Sequence, residues 1–566
     1  MAREAGAASR PRYGEPANGE SGTGMRHGQR HVARGAGRGL TTAAAVALGV
    51  LLIGSAALVR GAASASAARA GVDPVLGYDP ADSGSPSSVT QIVGAQGAWA
   101  QGWTGAGVDV AVIDTGVAPV PGLDAPGKVV TGPDLSFDAP AASGPGGVTG
   151  LDAYGHGTFM AGLIAGRDTA AHASAQGCTT CLNSHGYSDT TTYVGVAPDS
   201  RIVNVKVGAA DGAVDVTQVI AGIDWVVQHA HDPGLNIRVI SLSYGTDSTQ
   251  SYQKDPLAQA AERAWAHGIV VVAASGNDGK ATNKVASPGY DPYLLAVGAD
   301  NPKRTLPTVD DVVPGFAQHG NAKRPIDLIA PAMHVIGLRV PGSFVDTLSS
   351  NTGQVGTRFQ RGTGTSQATA IAAGVAALVL QKYPTATPDQ VKALLAATAV
   401  APNNPEAKTE KIHWGHGVIN ASAALAAPLP SPAQAAQPFE ASGGDGSLDE
   451  TRAGVYVADA GIDLRGDRDV MGAAFTPKKM AKAQTTASAW SGGTWNGSRW
   501  TGDGWSGSRW TAAAWSGSTW AGSRWTGSRW TGMAWDGSRW TGTGWSGSRW
   551  TGTGWDAARW STSTND

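Results

Sequence analysis

Val108-Asp109-Val110-Ala111-Val112-Ile113-Asp114-Thr115-Gly116 decides the fold. Apolar at all but one position as far as Ile113, it leaves no face for water, then stops at an acid and a turn-forming Thr-Gly. Such a run is a strand buried on both sides, as in a parallel sheet covered by helices. Downstream the theme repeats. Arg201 to Val207 alternates as a strand, and Ile237 to Leu242 and Ile269 to Ala274 are further apolar strands. Between them Val216, Val219, Ile220, Ile223 and Val227 recur at three- and four-residue steps, a helix with one buried face. Pro256 to His267 forms another helix, with Gly268 placed to cap it. Strands alternating with helices predict an α/β unit with a mostly parallel sheet and right-handed crossovers.

The unit closes in a legible way. Ser366 to Tyr383 is a long helix of small apolar residues suited to the interior. Thr387-Pro388-Asp389-Gln390 then starts a helix, with Thr as N-cap, Pro at N1 and Gln at N3. Its inner face carries Val391, Leu394 and Leu395. Glu262 and Arg263 read as a solvated helix face.

Polar side chains interrupt this frame at four places. Asp114 stands at the mouth of the first strand. His156 lies between two glycines in Tyr154-Gly155-His156-Gly157-Thr158, and Ser366 opens its helix in Gly364-Thr365-Ser366-Gln367-Ala368. Asn277 follows the strand ending in Ala273-Ala274-Ser275-Gly276. The order Asp, His, Ser is one of the known ways to assemble a nucleophilic triad. A serine hydroxyl needs a base within reach, and imidazole titrates near working pH. A carboxylate would fix that imidazole, while the Asn277 amide and the Ser366 N–H at a helix N-terminus would bind an oxyanion. The residues therefore read as a peptide-bond hydrolase.

Residues 86–427 resemble the subtilases, serine peptidases of the subtilisin family. The resemblance rests on Val110-Ala111-Val112-Ile113-Asp114-Thr115-Gly116, on Gly155-His156-Gly157-Thr158 with Ala161-Gly162, and on Gly195-Val196-Ala197-Pro198. Ala274-Ser275-Gly276-Asn277, Gly364-Thr365-Ser366 with Ala368, and Gly415-His416-Gly417-Val418-Ile419-Asn420-Ala421 complete it. It implies a three-layer subtilisin-like domain in which Ser366 is the nucleophile, His156 the general base, Asp114 its orienter and Asn277 the oxyanion donor. It also aligns Ser243-Tyr244-Gly245 with the strand edge that pairs with extended substrate, and Ala274-Ser275-Gly276 with the opposite wall of the P1 pocket. Polypeptides are the implied substrates, and the enzyme is expected to act as a monomer. No calcium loop of the family is recognisable, so neither metal nor cofactor is expected. With its tail included, the arrangement resembles exported subtilases of actinobacteria.

The remainder of the 566 residues is unusual. Leu40 to Val59 carries no charge, follows an Arg-rich stretch and precedes Ala63-Ser64-Ala65. Residues 1–70 therefore read as a signal peptide with a long basic n-region, the alternative being a retained anchor. Residues 71–85 form a short pro or linker segment, too short to bury a core. Cys178 and Cys181, the only cysteines, suit a short-loop disulfide in an exported protein, although His172 and His185 allow a zinc site to be drawn. With a net charge of −2, nothing suggests nucleic acid as a partner.

Residues 428–485 combine a Pro- and Ala-rich linker with a small β-rich patch, Val455 to Val457 and Gly461 to Leu464 being its short strands. From Trp490 to Trp560 a Trp stands at every fifth position, which makes 486–566 a Trp/Gly repeat tail. A period of five suits neither a helix nor one strand, because i and i+5 would face opposite sides. It suits a solenoid with five-residue sides, or a chain of tiny hairpins with Gly turns, and its Gly and Ser content suits equally a tail that is disordered in isolation. The Trp rows would either stack on sugars of cell-wall or envelope polymers or pack on themselves. Two functions stay in contention: a secreted serine endopeptidase, and an envelope-binding structural protein whose peptidase unit is vestigial or processes only itself.

Overall fold

The computed structural model describes residues 77–139, 148–169, 192–348, 353–403, 411–459 and 462–501. The segment 1–70, Cys178 and Cys181 with His172 and His185, and the repeats from Trp505 onward lie outside the described residues.

Seven parallel strands form the central sheet: β1 (Asp109–Asp114), β2 (Val129–Asp134), β3 (Arg201–Lys206), β4 (Ile237–Leu242), β5 (Val270–Ala274), β6 (Leu295–Asp300) and β7 (Leu328–Pro331). Their order is β2-β3-β1-β4-β5-β6-β7. The chain thus leaves β1 in one direction for β2 and β3, and builds in the other from β4 onward. Asp114 ends the strand at that switch point, where an open parallel sheet forms a crevice. Every residue of β1 is buried, as its composition requires of a strand covered on both faces.

On one face lie α1 (His156–Ala165) and the long α4 (Thr365–Lys382), which pack on each other. α4 also crosses β4 to β7, and its first sixteen residues are buried. Two further helices, α2 (Val216–His229) and α3 (Pro256–Ala266), cover the opposite face. Both start as their sequences predict. Asp215 and Gln218 form a capping box on α2, Asp255 caps α3, and α3 ends at His267 with Gly268 at φ 87°. α5 (Pro388–Thr398) carries the expected Thr387–Gln390 capping box and buries Val391, Leu394 and Leu395. A small antiparallel sheet, β8 (Val335–Leu338), β9 (Gln354–Val355) and β10 (Phe359–Gly362), leads directly into α4.

Residues 428–501 wrap back over α2 and α3. Gln390 donates to the Pro430 carbonyl, Tyr293 to that of Phe439, and the Ser442 N–H to Glu262 Oε2 at 2.7 Å. The solvated face expected at Glu262 and Arg263 is therefore corrected. Glu262 is only 3% exposed, because this strap covers it, and burial pushes its carboxyl up. Farther on, α6 (Leu448–Arg452) inserts Arg452, fully buried, against Asp215. The first short strand of the patch falls at β11 (Ala458–Asp459) rather than Val455–Val457, because the Val455 N–H closes the α6 turn by bonding the Arg452 carbonyl. Its partner, β12 (Ile462–Asp463), lies within the expected Gly461–Leu464.

After α7 (Pro477–Thr485) the five-residue period becomes visible as geometry. β13 (Trp490–Ser491), β14 (Thr494–Trp495) and β15 (Ser498–Arg499) form an antiparallel meander, with two-residue turns at Gly492-Gly493 and Asn496-Gly497. All four turn residues have positive φ, between 49° and 82°, as a tight hairpin turn requires. Each unit is one short leg plus one reversal. Since the reversal restores the face, successive indoles meet: Trp495 and Trp500 lie edge to face at 5.0 Å. Trp490, Trp495 and Trp500 are all buried.

Candidate active site

The acid arrives on the central strand. Asp114 is 1% exposed, and its Oδ1 accepts the Thr115 N–H at 2.7 Å. His156 begins α1 after Gly155, whose φ of 103° lets the chain turn sharply into the helix. Gly157 allows the close approach that follows: a Cβ there would stand 2.2 Å from the Gly116 carbonyl oxygen. The result is a direct contact, with His156 Nδ1 at 2.8 and 2.9 Å from the two oxygens of Asp114. The same nitrogen therefore carries the proton, which leaves Nε2 as the basic position.

Ser366 comes from α4, the helix that packs on α1. After β10 the Gly364 N–H bonds the Ala332 carbonyl, and Ser366 follows as the second residue of α4, buried. Asn277 stands beyond the end of β5. Its Oδ1 accepts both the Thr365 N–H at 2.9 Å and the Thr365 hydroxyl at 3.1 Å. Two donors on one side fix which way the amide faces, so its NH₂ is directed away from Thr365. The residue beside the candidate nucleophile thus orients the candidate oxyanion donor.

The six residues aligned with substrate pairing leave adjacent strands at the same end of the sheet. Ser243, Tyr244 and Gly245 follow β4; Ala274 ends β5, with Ser275 and Gly276 after it. All six are buried. The Tyr244 ring belongs to the core. Ser243 donates to the Ser366 carbonyl at 3.3 Å, and the Gly276 N–H to the Thr365 hydroxyl at 3.4 Å. Both strips therefore border the segment that carries Ser366.

Sequence reasoning missed three supporting residues. Asp152 is fully buried and accepts four hydrogen bonds from the segments around Asp114 and His156. Thr115 accepts the Gly157 N–H at 2.8 Å, and Thr365 holds Asn277. A signal for Asp152 exists in Asp152-Ala153-Tyr154-Gly155-His156, where an acid precedes a helix start. Lys206, buried at the end of β3, donates to the carbonyls of Thr115 and Gly208, both at 2.8 Å. Beside the histidine, Tyr154 stacks on Phe344 at 5.4 Å, and burial pushes its phenol well above the usual range. Among the described residues no group of three or more His, Cys, Asp or Glu side chains could hold a metal ion.

Residues 105–452, more than half of the chain, match the family model described as the subtilase family. The chain belongs to the subtilases. Among proteins of known activity this subtilase is 36% identical over 298 residues to the serine protease AprX of Bacillus subtilis, covering 52% of this chain and 61% of AprX. It is 30% identical to subtilisin DY of Bacillus licheniformis, over 57% of this chain and 93% of that one. A solved cold adapted subtilisin-like serine proteinase shares 28% identity over 56% of this chain and 88% of its own, with a TM-score of 0.39.

Proposed function

We propose that this subtilase is an exported serine endopeptidase that cleaves polypeptides through an acyl-enzyme. Ser366 Oγ attacks the scissile carbonyl carbon as His156 Nε2 takes its proton. The oxyanion is bound by the Asn277 amide and the Ser366 N–H. His156 then protonates the leaving amine, and water, activated by the same imidazole, releases the acyl group. Asp114 holds the ring and stabilises the imidazolium. Extended substrate runs between Ser243–Gly245 and Ala274–Gly276. The observation that carries the reading is the buried contact of His156 Nδ1 with both oxygens of Asp114. Export rests on the sequence of residues 1–70, and among the described residues no helix is long and apolar enough to cross a membrane.

A serine-directed organophosphate tests the assignment. It should label the native chain stoichiometrically and fail to label Ser366→Ala. Absence of label on the native protein overturns it.

Envelope attachment is the second reading, and it concerns the tail. Trp490 donates its indole N–H to the Ala221 carbonyl at 2.8 Å, and Trp495 donates to Asp224 at the same distance. These contacts dock the first repeats on α2, and with Trp495 edge to face on Trp500 they leave those indoles buried, so attachment would fall to Trp505–Trp560. Removing 502–566 should lower retention on cell envelopes while peptide hydrolysis persists; unchanged retention rejects the attachment.

A further inference from the structure

Asp152 belongs to neither strand nor helix, yet it joins the two. Its Oδ1 accepts the Thr115 hydroxyl at 2.8 Å and the Gly155 N–H at 2.7 Å. Its Oδ2 accepts the Thr158 N–H at 2.8 Å and the Thr158 hydroxyl at 2.7 Å. The helix that begins with His156 has no side-chain cap from Gly155, and Asp152 supplies it from upstream at the N3 position. Both threonines pass the connection on. Thr158 Oγ1 accepts the Ala118 N–H at 2.9 Å, beyond the β1 turn, and Thr115 Oγ1 accepts the Gly157 N–H at 2.8 Å.

Thr115 has one hydroxyl proton and two acceptors within reach. Asp152 Oδ1 lies at 2.8 Å and Asp114 Oδ1 at 3.2 Å. The nearer carboxylate takes the proton. Asp114 is thereby spared a hydrogen bond that would stabilise its charge and weaken its hold on the imidazole. We propose that Asp152 is a positioning residue for His156, which acts through the Thr115 hydroxyl by fixing the strand–helix junction and keeping that hydroxyl proton off Asp114. The inference rests on the peptidase reading above and assigns a role within the same site.

Two consequences separate this role from mere stability. In Asp152→Asn a nearby negative charge disappears and one of the two accepting oxygens becomes an NH₂ donor; with the remaining oxygen held by the two donors of Thr158, the NH₂ faces Thr115, whose proton turns to Asp114. Both changes favour neutral imidazole, so the acid limb of kcat/KM moves to lower pH. The base also becomes weaker and less well placed, which lowers kcat by about 10- to 100-fold while KM holds.

The test compares full-length native protein with Asp152→Asn, Thr115→Val and Thr115→Ser. Readouts are the pH profile of kcat/KM on a peptide substrate, organophosphate labelling, and the downfield proton resonance of His156 Nδ1–H. Asp152→Asn should show the lower kcat, the shifted acid limb and a displaced resonance. Thr115→Val should lose kcat too, and Thr115→Ser should restore it. In the double variant Asp152→Asn/Thr115→Val the hydroxyl part of the pH shift should be missing. An unmoved acid limb and resonance in a folded Asp152→Asn protein overturn the proposal. Should Asp152→Asn not fold, equal activities of Thr115→Val and native protein overturn it instead. A native chain that takes no organophosphate overturns the peptidase reading, while the resonance still reports on Asp152.

Discussion

Arg452 grips Asp215 with Nε at 2.7 Å from one oxygen and Nη2 at 3.2 Å from the other, and neither side chain reaches solvent. One partner belongs to the C-terminal strap; the other caps the helix α2. Arg452 also donates to the carbonyls of Gly466 and Arg468 at 2.7 and 2.6 Å. Deleting it strands a buried carboxylate and two carbonyls together. Arg452→Ala should therefore lose about 3–5 kcal/mol of stability, seen as a lower denaturation midpoint. A midpoint equal to that of native protein would show that the strap is not integral to the fold.

The strap is also sensitive to pH. Asp224, fully buried on α2, accepts from the Trp495 indole at 2.8 Å and from Gln484 at 3.3 Å, and burial pushes its carboxyl up to about 7. An acid whose folded pKa is raised binds more protons folded than unfolded. Stability then falls as pH rises from the unfolded value near 4 to about 7, by up to about 1.4 kcal/mol per pH unit. Asp469, pushed up to about 6 by burial, acts with the same sign. Thermal melts between pH 4 and 7 should show this slope in native protein and a shallower one in Asp224→Asn. Identical slopes would remove Asp224 from the account.

At the oxyanion position the amide and its holder make separable contributions. Asn277→Ala should lower kcat about 10²- to 10³-fold with KM little changed, a magnitude whose reference case is subtilisin itself. Thr365→Val removes one of two donors to Asn277 Oδ1 and should lower kcat by about fivefold, in line with about 1 kcal/mol for one hydrogen bond. Thr365→Ser should retain native turnover. A Val variant as active as the Ser variant would deny Thr365 this role.

Close approach at Gly157 makes a fourth site of sensitivity. An alanine Cβ would press on the Gly116 carbonyl and force α1 away from β1, stretching the His156–Asp114 contact. Gly157→Ala should lose about 1–3 kcal/mol of stability and a larger factor in kcat than in KM. Native kcat in the variant would mean that the junction tolerates the shift.

What could be read in advance was whatever short-range chemistry controls. Val110 to Ile113 could only be a strand with both faces covered, and Thr387-Pro388-Asp389-Gln390 could only begin a helix. Asp114, His156, Ser366 and Asn277 stood out because each interrupts such a pattern. Glu262 was misjudged because its cover, Ser442, lies 180 residues away, and no local period reports a contact that distant. Asp152 escaped for a related reason: three of its four hydrogen bonds leave its own turn. For the Trp period, tiny hairpins with Gly turns are one of the readings open in sequence, and residues 490–499 adopt it; rhythm alone does not choose it over a solenoid, because the choice lies in the reversals at Gly493 and Gly497.

The wrapped strap has a practical corollary for anyone shortening this protein. A recombinant version stopped after Ala427 would strip the covers from Glu262, Asp215 and Asp224 in a single cut and leave three acidic groups beneath an unsealed surface. One that continues through Thr501 retains every seal described above. The smallest portable form of this subtilase is therefore some seventy residues longer than a cut after Ala427, where the family resemblance ends, would suggest.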